Sequence, residues 1–291
     1  MYEQIANNKR KSWIIMVSFI LIIAGLGFVF DQALEAGYSL FIIAMVFALF
    51  SAVASYYFSD SISIAISGAK KVEKKDEPRL YRMVENLSIA TGITPPPRVY
   101  VIEDMAINAF ATGRDPHHAA VAVTRGALIK LEDLELEGVI AHEMAHIKNY
   151  DIRTMAIAVV LVGIIAMAGE FFLRSQIWGG SRRKEGNGVM MVFALVGAIL
   201  APLMAQVLKM ALSRQREFLA DASAANLTRY PEGLARALEK IAADTDPLDH
   251  ANSATAHLYI SNPLKKRGEK ISNMFSTHPP VEERIARLRS M

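Results

Sequence analysis

Two stretches near the N-terminus, residues 13–30 (WIIMVSFILIIAGLGFVF) and residues 38–59 (YSLFIIAMVFALFSAVASYYFS), contain no charged residue. Each approaches the roughly 20 apolar residues that a helix needs to cross the hydrocarbon of a bilayer. Together they predict a transmembrane hairpin. A cleaved signal peptide is the competing reading, because Lys9, Arg10 and Lys11 form a basic start. No small-residue cleavage site follows, however; Asp31, Glu35 and then the second apolar run come next. Basic residues flank both outer ends of the hairpin, with Lys70, Lys71, Lys74 and Lys75 after the second run, whereas the connection at 31–37 has no Lys or Arg. The positive-inside rule therefore places both ends, and the polar segment beginning at Asp60, in the cytoplasm.

Two further apolar runs cover 155–173 and 189–212. They hold Glu170 and Lys209 near their ends, and the loop between them carries Arg174, Arg182, Arg183 and Lys184. Spanning and partial embedding are both open for this second pair. The chain then divides into a transmembrane hairpin (1–59), a first polar segment (60–154), a second apolar hairpin (155–212) and a second polar segment (213–291). Two or four spans leave both polar segments on one side, where they can form one domain. The 52% hydrophobic content is thus concentrated in blocks. A net charge of +3, without Lys and Arg interleaved with aromatics, speaks against nucleic acid as a partner. The absence of cysteine excludes disulfides, thiolate catalysis and Cys-type zinc sites.

In the first polar segment, Leu80, Met83, Val84, Leu87 and Ile89 repeat at helical spacing over 77–91. Residues 98–102 (RVYVI) and 119–123 (AAVAV) read as strands, the second entering a turn at 124–126. Residues 134–150 read as a helix, with Asp133 as its N-cap. The second segment reads as helices over 213–228, 231–243 and 280–289, with a long loop at 244–270.

The chemistry gathers in VIAHEMAHIKNYD, residues 139–151. On a helix, His142 and His146 lie one turn apart on one face, so both imidazoles can converge on one ion. Glu143 is offset by about 100 degrees, where it reaches a metal-activated water without being a ligand. A catalytic tetrahedral site takes a third protein ligand. Glu217, in REFLAD at 216–221, is the best candidate, and Asp221 one turn later can hold the outer nitrogen of a ligand histidine. His117 and His118 read as solvent-exposed, and His250 and His257 fall in the long loop.

AHEMAHIKNYD followed by EFLAD after an apolar hairpin resembles the HtpX-type membrane zinc metalloproteases, gluzincins with HExxH…ExxxD that are relatives of the CaaX-processing zinc proteases. NAFATG at 108–113, HLYISNPL at 257–264 and STHPP at 276–280 extend the resemblance along nearly the whole chain. It implies a mainly α membrane protein with four transmembrane helices and an α+β gluzincin-like protease domain holding a small β-sheet. It implies one Zn2+ per chain at His142, His146 and Glu217, with Glu143 as general base and acid. It also implies peptide binding as an added strand near Asn108, Ala109 and Phe110, with Asn108 and His278 helping to stabilise the tetrahedral intermediate. The expected substrates are polypeptides, above all misfolded or damaged membrane proteins met at the cytoplasmic face of a bacterial-type inner membrane. A CaaX-type prenyl-protein peptidase and a non-catalytic membrane scaffold are the alternatives. The span count argues against the first, and Glu143 beside the two histidines against the second.

Overall fold

A computed structural model of the chain describes residues 2–33, 35–178, 214–246, 248, 258–260 and 279–291. The first two apolar runs lie within helices α1 (Tyr2–Ala33) and α2 (Ser39–Ile66), which pack against one another. The buried Asp31 carboxylate closes the hairpin by accepting the N–H groups of Tyr38 at 2.7 Å and Leu40 at 3.0 Å. Those amides have no partner inside α2, so an acid at the end of one helix caps the start of the next. A Cβ added at Gly27 would stand 2.3 Å from the Ala44 Cβ, so a small residue is needed for the helices to come this close. Leu21, Ile43 and Phe50 point outward and are exposed, a surface suited to lipid tails. Both helices are long and apolar enough to cross a membrane.

Among the described residues these are the two such helices, against four expected spans. The third run begins inside α6 (Asp151–Trp178), whose residues 151–162 are buried. Ile157, Ala158, Leu161, Val162 and Ile165 pack on Ile15, Met16 and Phe19 of α1 and on Ala48 and Ala52 of α2. The first half of this run is therefore packed against the two membrane-length helices. The fourth run, 189–212, lies outside the described residues.

The remaining elements are β1 (Lys70–Lys71), α3 (Pro78–Thr91), β2 (Arg98–Ile102), β3 (Ala109–Gly113), β4 (Ala119–Thr124), α4 (Arg125–Lys130), α5 (Asp133–Lys148), α7 (Arg214–Thr228), α8 (Pro231–Ala243) and α9 (Val281–Arg289). The strands form one mixed sheet in the order β1-β2-β4-β3, with β2 and β4 parallel and the outer pairs antiparallel, so β3 is an edge. Alternation along the strands sorts side chains between two cores. Val99, Val101, Val121 and Val123 meet Leu80 and Leu87 of α3, Leu136, Ile140 and Met144 of α5, Leu234 and Leu238 of α8, and Leu288 of α9. Ile102, Phe110 and Ala122 face Met155 and Val159 of α6 together with Leu258 and Tyr259.

Three local expectations change. The N-cap of α5 is Glu132 rather than Asp133, and the Glu135 carboxylate accepts the Glu132 N–H at 2.8 Å. The expected turn at 124–126 is the start of α4, where the Thr124 hydroxyl accepts the Ala127 N–H and caps a short helix. Strand β3 was not foreseen at all.

Helix α5 rests on α8 at Gly138, where an added Cβ would stand 2.8 Å from the backbone nitrogen of Leu234. Gly138→Ala is expected to push the two helices apart and to destabilise the protein by about 1–3 kcal/mol. The check is thermal unfolding in detergent, where an unchanged midpoint would show that α5 and α8 can separate without cost.

Candidate active site

Helix α5 carries His142 and His146 on one face, and α7 brings Glu217 to them. The Nε2 atoms of the two rings are 3.1 Å apart, and the Glu217 carboxylate oxygens lie 3.7 Å from the first and 3.6 Å from the second. All three residues are buried, and their ligand-type atoms lie within 4.8 Å of one another.

The other sides of the rings settle which nitrogens carry protons. His142 Nδ1 is 2.9 Å from the Asp221 carboxylate, and His146 Nδ1 is 3.1 Å from that of Asp151. An ionised carboxylate can only accept a hydrogen bond, so each Nδ1 donates, and a neutral ring then presents its Nε2 lone pair. With both rings neutral, two lone pairs face each other beside a third carboxylate, and the repulsion is relieved either by a proton, which the Asp151 and Glu217 carboxylates favour on His146, or by a metal ion bound to all three groups. The donor set therefore fits a metal ion, with two histidine nitrogens and one carboxylate oxygen as ligands and buried carboxylates holding the rings from behind.

A buried arginine completes the support. Arg284 on α9 donates to both Asp221 oxygens, at 2.8 and 2.7 Å, and to the carbonyl of Ile260 at 3.1 Å. Burial disfavours charge on Asp221, but the Arg284 guanidinium and the bond to His142 bring its pKa down to about 2. Burial holds His142 below the usual histidine range. Burial acts the same way on His146, but the Asp151 hydrogen bond and the field of Glu217 lift it to about 9. Burial pushes the Glu143 carboxyl up to about 8, although the charge on His146 opposes it. The Glu143 carboxylate also accepts the Ala111 N–H, which ties it to the outer edge of β3.

The structure thus brings His142, Glu143, His146, Glu217 and Asp221 to one place. Asn108 follows β2 and directly precedes β3; it is buried, its N–H donates to the Thr124 hydroxyl, its carbonyl accepts the Thr124 N–H, and its side-chain oxygen accepts the Ala109 N–H at 3.1 Å. The side chains of Ala109 and Phe110 are buried in the two cores, Phe110 edge-to-face on Tyr259. The Ala109 carbonyl accepts the Ile260 N–H at 3.0 Å. His278 lies outside the described residues, as do His250 and His257. His117 and His118 are exposed.

Two supporting residues escaped the sequence reading. Asp151 closes the motif-bearing stretch and follows the end of α5, a signal visible but unassigned. Arg284 falls on the apolar stripe of α9 with Val281, Ile285 and Leu288, and a lone arginine at a core-facing position was its signature.

Paired histidines on one helix, a carboxylate from a second and a glutamate beside them define a metallohydrolase centre, here set on the edge of a small sheet. The chain belongs to peptidase family M48, whose family model matches residues 74–291, and it is a metalloprotease. It is 48% identical over 290 residues to a "Protease HtpX homolog" of Dictyoglomus thermophilum, covering 100% of this chain and 94% of the relative. It is 46% identical over 291 residues to one of Tropheryma whipplei, covering 100% and 98%. Its fold is similar to the crystal structure of S. mikatae Ste24p, with a TM-score of 0.51 at 20% identity, covering 96% of this chain and 66% of that longer one.

Replacing Arg284 by Met leaves the buried Asp221 carboxylate short of its main counter-charge. Arg284→Met is expected to destabilise the protein by roughly 3–5 kcal/mol, the range for removing one partner of a buried ion pair. Thermal unfolding measures this, and adding Asp221→Asn should recover part of the loss because the uncompensated charge is gone.

Proposed function

We propose that this chain is a membrane-anchored zinc endopeptidase whose cleft faces the cytoplasm and which hydrolyses peptide bonds of misfolded or damaged membrane proteins. The observation that carries the reading is the set of three buried ligand groups, each histidine held from behind by a carboxylate, with Glu143 alongside. His142, His146 and Glu217 would hold one zinc ion. When bound, zinc acts as a Lewis acid that polarises the scissile carbonyl and makes water a stronger acid.

The chain's own residues supply the rest. Glu143 takes a proton from the attacking water and delivers it to the leaving amine. Its tie to Ala111 keeps it beside β3, whose outer edge pairs with no further strand among the described residues and can accept an extended peptide as an added strand. Ile260 already pairs with Ala109, so the peptide lies along the edge from Ala111 onward. The amide of Asn108, at the head of that strand, and His278 are the candidates for hydrogen-bonding the developing oxyanion. Asp221 keeps His142 oriented. Basic residues at both outer ends of the α1–α2 hairpin support a cytoplasmic cleft. Only Asn149 and Tyr150 separate α5 from α6, which supports a cleft close to the membrane surface and to polypeptide hanging from it.

Purified protein should hold about one zinc per chain, and His146→Ala and Glu217→Ala should lose it. Glu143→Gln should keep the zinc while cleavage of casein or an unfolded membrane protein falls by on the order of a thousandfold. Normal cleavage by Glu143→Gln would overturn the mechanism. Cleavage confined to farnesylated peptides would move the reading to a CaaX-type peptidase.

A further inference from the structure

The anchoring helix and the metal site are joined by a polar contact deep in the protein. Asn8, before the first apolar run on α1, is buried, and its side-chain nitrogen donates to Asp151 Oδ1 at 2.6 Å and to the Asn149 carbonyl at 2.9 Å. Two acceptors on one amide group fix which end carries the hydrogens. The other oxygen of Asp151, Oδ2, is the one that meets His146 Nδ1. Arg216 Nη1 also reaches Oδ1, at 3.1 Å, from α7. The Asp151 carboxylate is therefore gripped at Oδ1 from two helices, which leaves Oδ2 turned toward the ring.

Asp151 needs such a grip because it stands outside α5. The chain leaves that helix through Tyr150 at φ 61, a left-handed conformation uncommon for a bulky residue. The Lys9 ammonium lies 4.4 Å above the Tyr150 ring, so α1 touches this turn a second time. One turn further along α1, Ser12 Oγ lies 3.0 Å from Thr154 Oγ1 of α6. That last contact joins the same two helices without involving Asp151.

We infer that Asn8 is a positioning residue of the metal centre: α1 fixes the rotamer of Asp151, and Asp151 in turn fixes the tautomer and direction of His146. The inference rests on the metal-site reading proposed above. It makes the first membrane helix part of the protease machinery as well as an anchor. Carboxylates behind metal-bound histidines typically change metal affinity 10- to 100-fold when removed, and Asn8 acts one bond further out, so the low end applies.

The test uses the full-length protein in detergent, with zinc affinity measured by chelator competition and ligand geometry read from the visible spectrum of the cobalt-substituted protein. Asn8→Ala is expected to weaken zinc binding by about tenfold and to shift the cobalt bands. Asp151→Ala should weaken it at least as much, and the double variant no more than Asp151→Ala alone, because both changes break one chain of contacts. Ser12→Ala, which disturbs the same helix pair but leaves the Asn8–Asp151 bond, should keep wild-type affinity and spectrum. Wild-type behaviour of Asn8→Ala, multiplying effects in the double variant, or an equal loss in Ser12→Ala would each overturn the inference while leaving the metal-site reading intact. A wild-type protein that takes up no zinc would overturn both.

Discussion

His142, Glu143, His146, Asp151, Glu217, Asp221 and Arg284 are all withdrawn from water around one point. Even after relaxation, burying each ion costs several kcal/mol, and that cost is offset only where partners stand at hydrogen-bonding distance. The partners come from different places in the chain. Asp221 on α7 serves His142 on α5, Arg284 on α9 serves Asp221, and Asp151 after the Tyr150 turn serves His146. None of these helices can leave the bundle without stranding a buried charge. The network that shapes the site therefore also specifies how four helices meet, and the apolar packing of Leu136, Ile140, Leu234 and Leu288 fills in around it.

This explains what could be read from the linear sequence and what could not. The histidine pair on α5 was legible because helical geometry makes i and i+4 neighbours without help from the rest of the fold. Glu217 and Asp221 were legible as a pair for the same reason. Strands 98–102 and 119–124 showed themselves by apolar, β-branched composition. Ala109–Gly113 did not, because its small residues carry little strand preference; it is a strand because β4 offers it a ladder and the two cores leave room only for small side chains or one phenylalanine. Asn8 and Arg284 reach Asp151 and Asp221 across 143 and 63 positions of sequence, and no local pattern reports such a contact. The apolar run at 155–173 could not show which of its residues pack on α1 and α2, because a helix packed among helices and a helix facing lipid have the same composition.

Close approach is the second requirement of the network. Charge-assisted bonds of 2.7–2.9 Å between helices demand that backbones come near one another, and side chains at the crossings would prevent it. Gly138 meets the Leu234 backbone where α5 crosses α8, and Gly233 meets the Leu134 carbonyl from the other side. The two glycines form a reciprocal contact at the N-terminal half of α5, one turn before His142. This lets α8 hold the start of that helix while Asp221 of α7, itself held by Arg284 of α9, meets His142. The Lys240 ammonium on Glu135, at 2.7 Å, closes the same joint with a charge pair.

The same logic relates the protease core to the bilayer. A loose tether between a membrane helix and a catalytic domain would let the two move independently, and the cleft could then sample any height above the surface. Here α6 starts at Asp151, whose carboxylate meets His146, and packs at once on Ile15, Met16 and Phe19 of α1. Polar contacts of Asn8 and Ser12 precede the apolar ones along α1, so the helix changes from a partner of the active site to a partner of α6 and then of lipid. On the proposed membrane-surface reading, the hydrogen bonds that orient the site would also set its height above the bilayer. The proposed protease would then reach only polypeptide that lies at, or is drawn down to, the membrane surface.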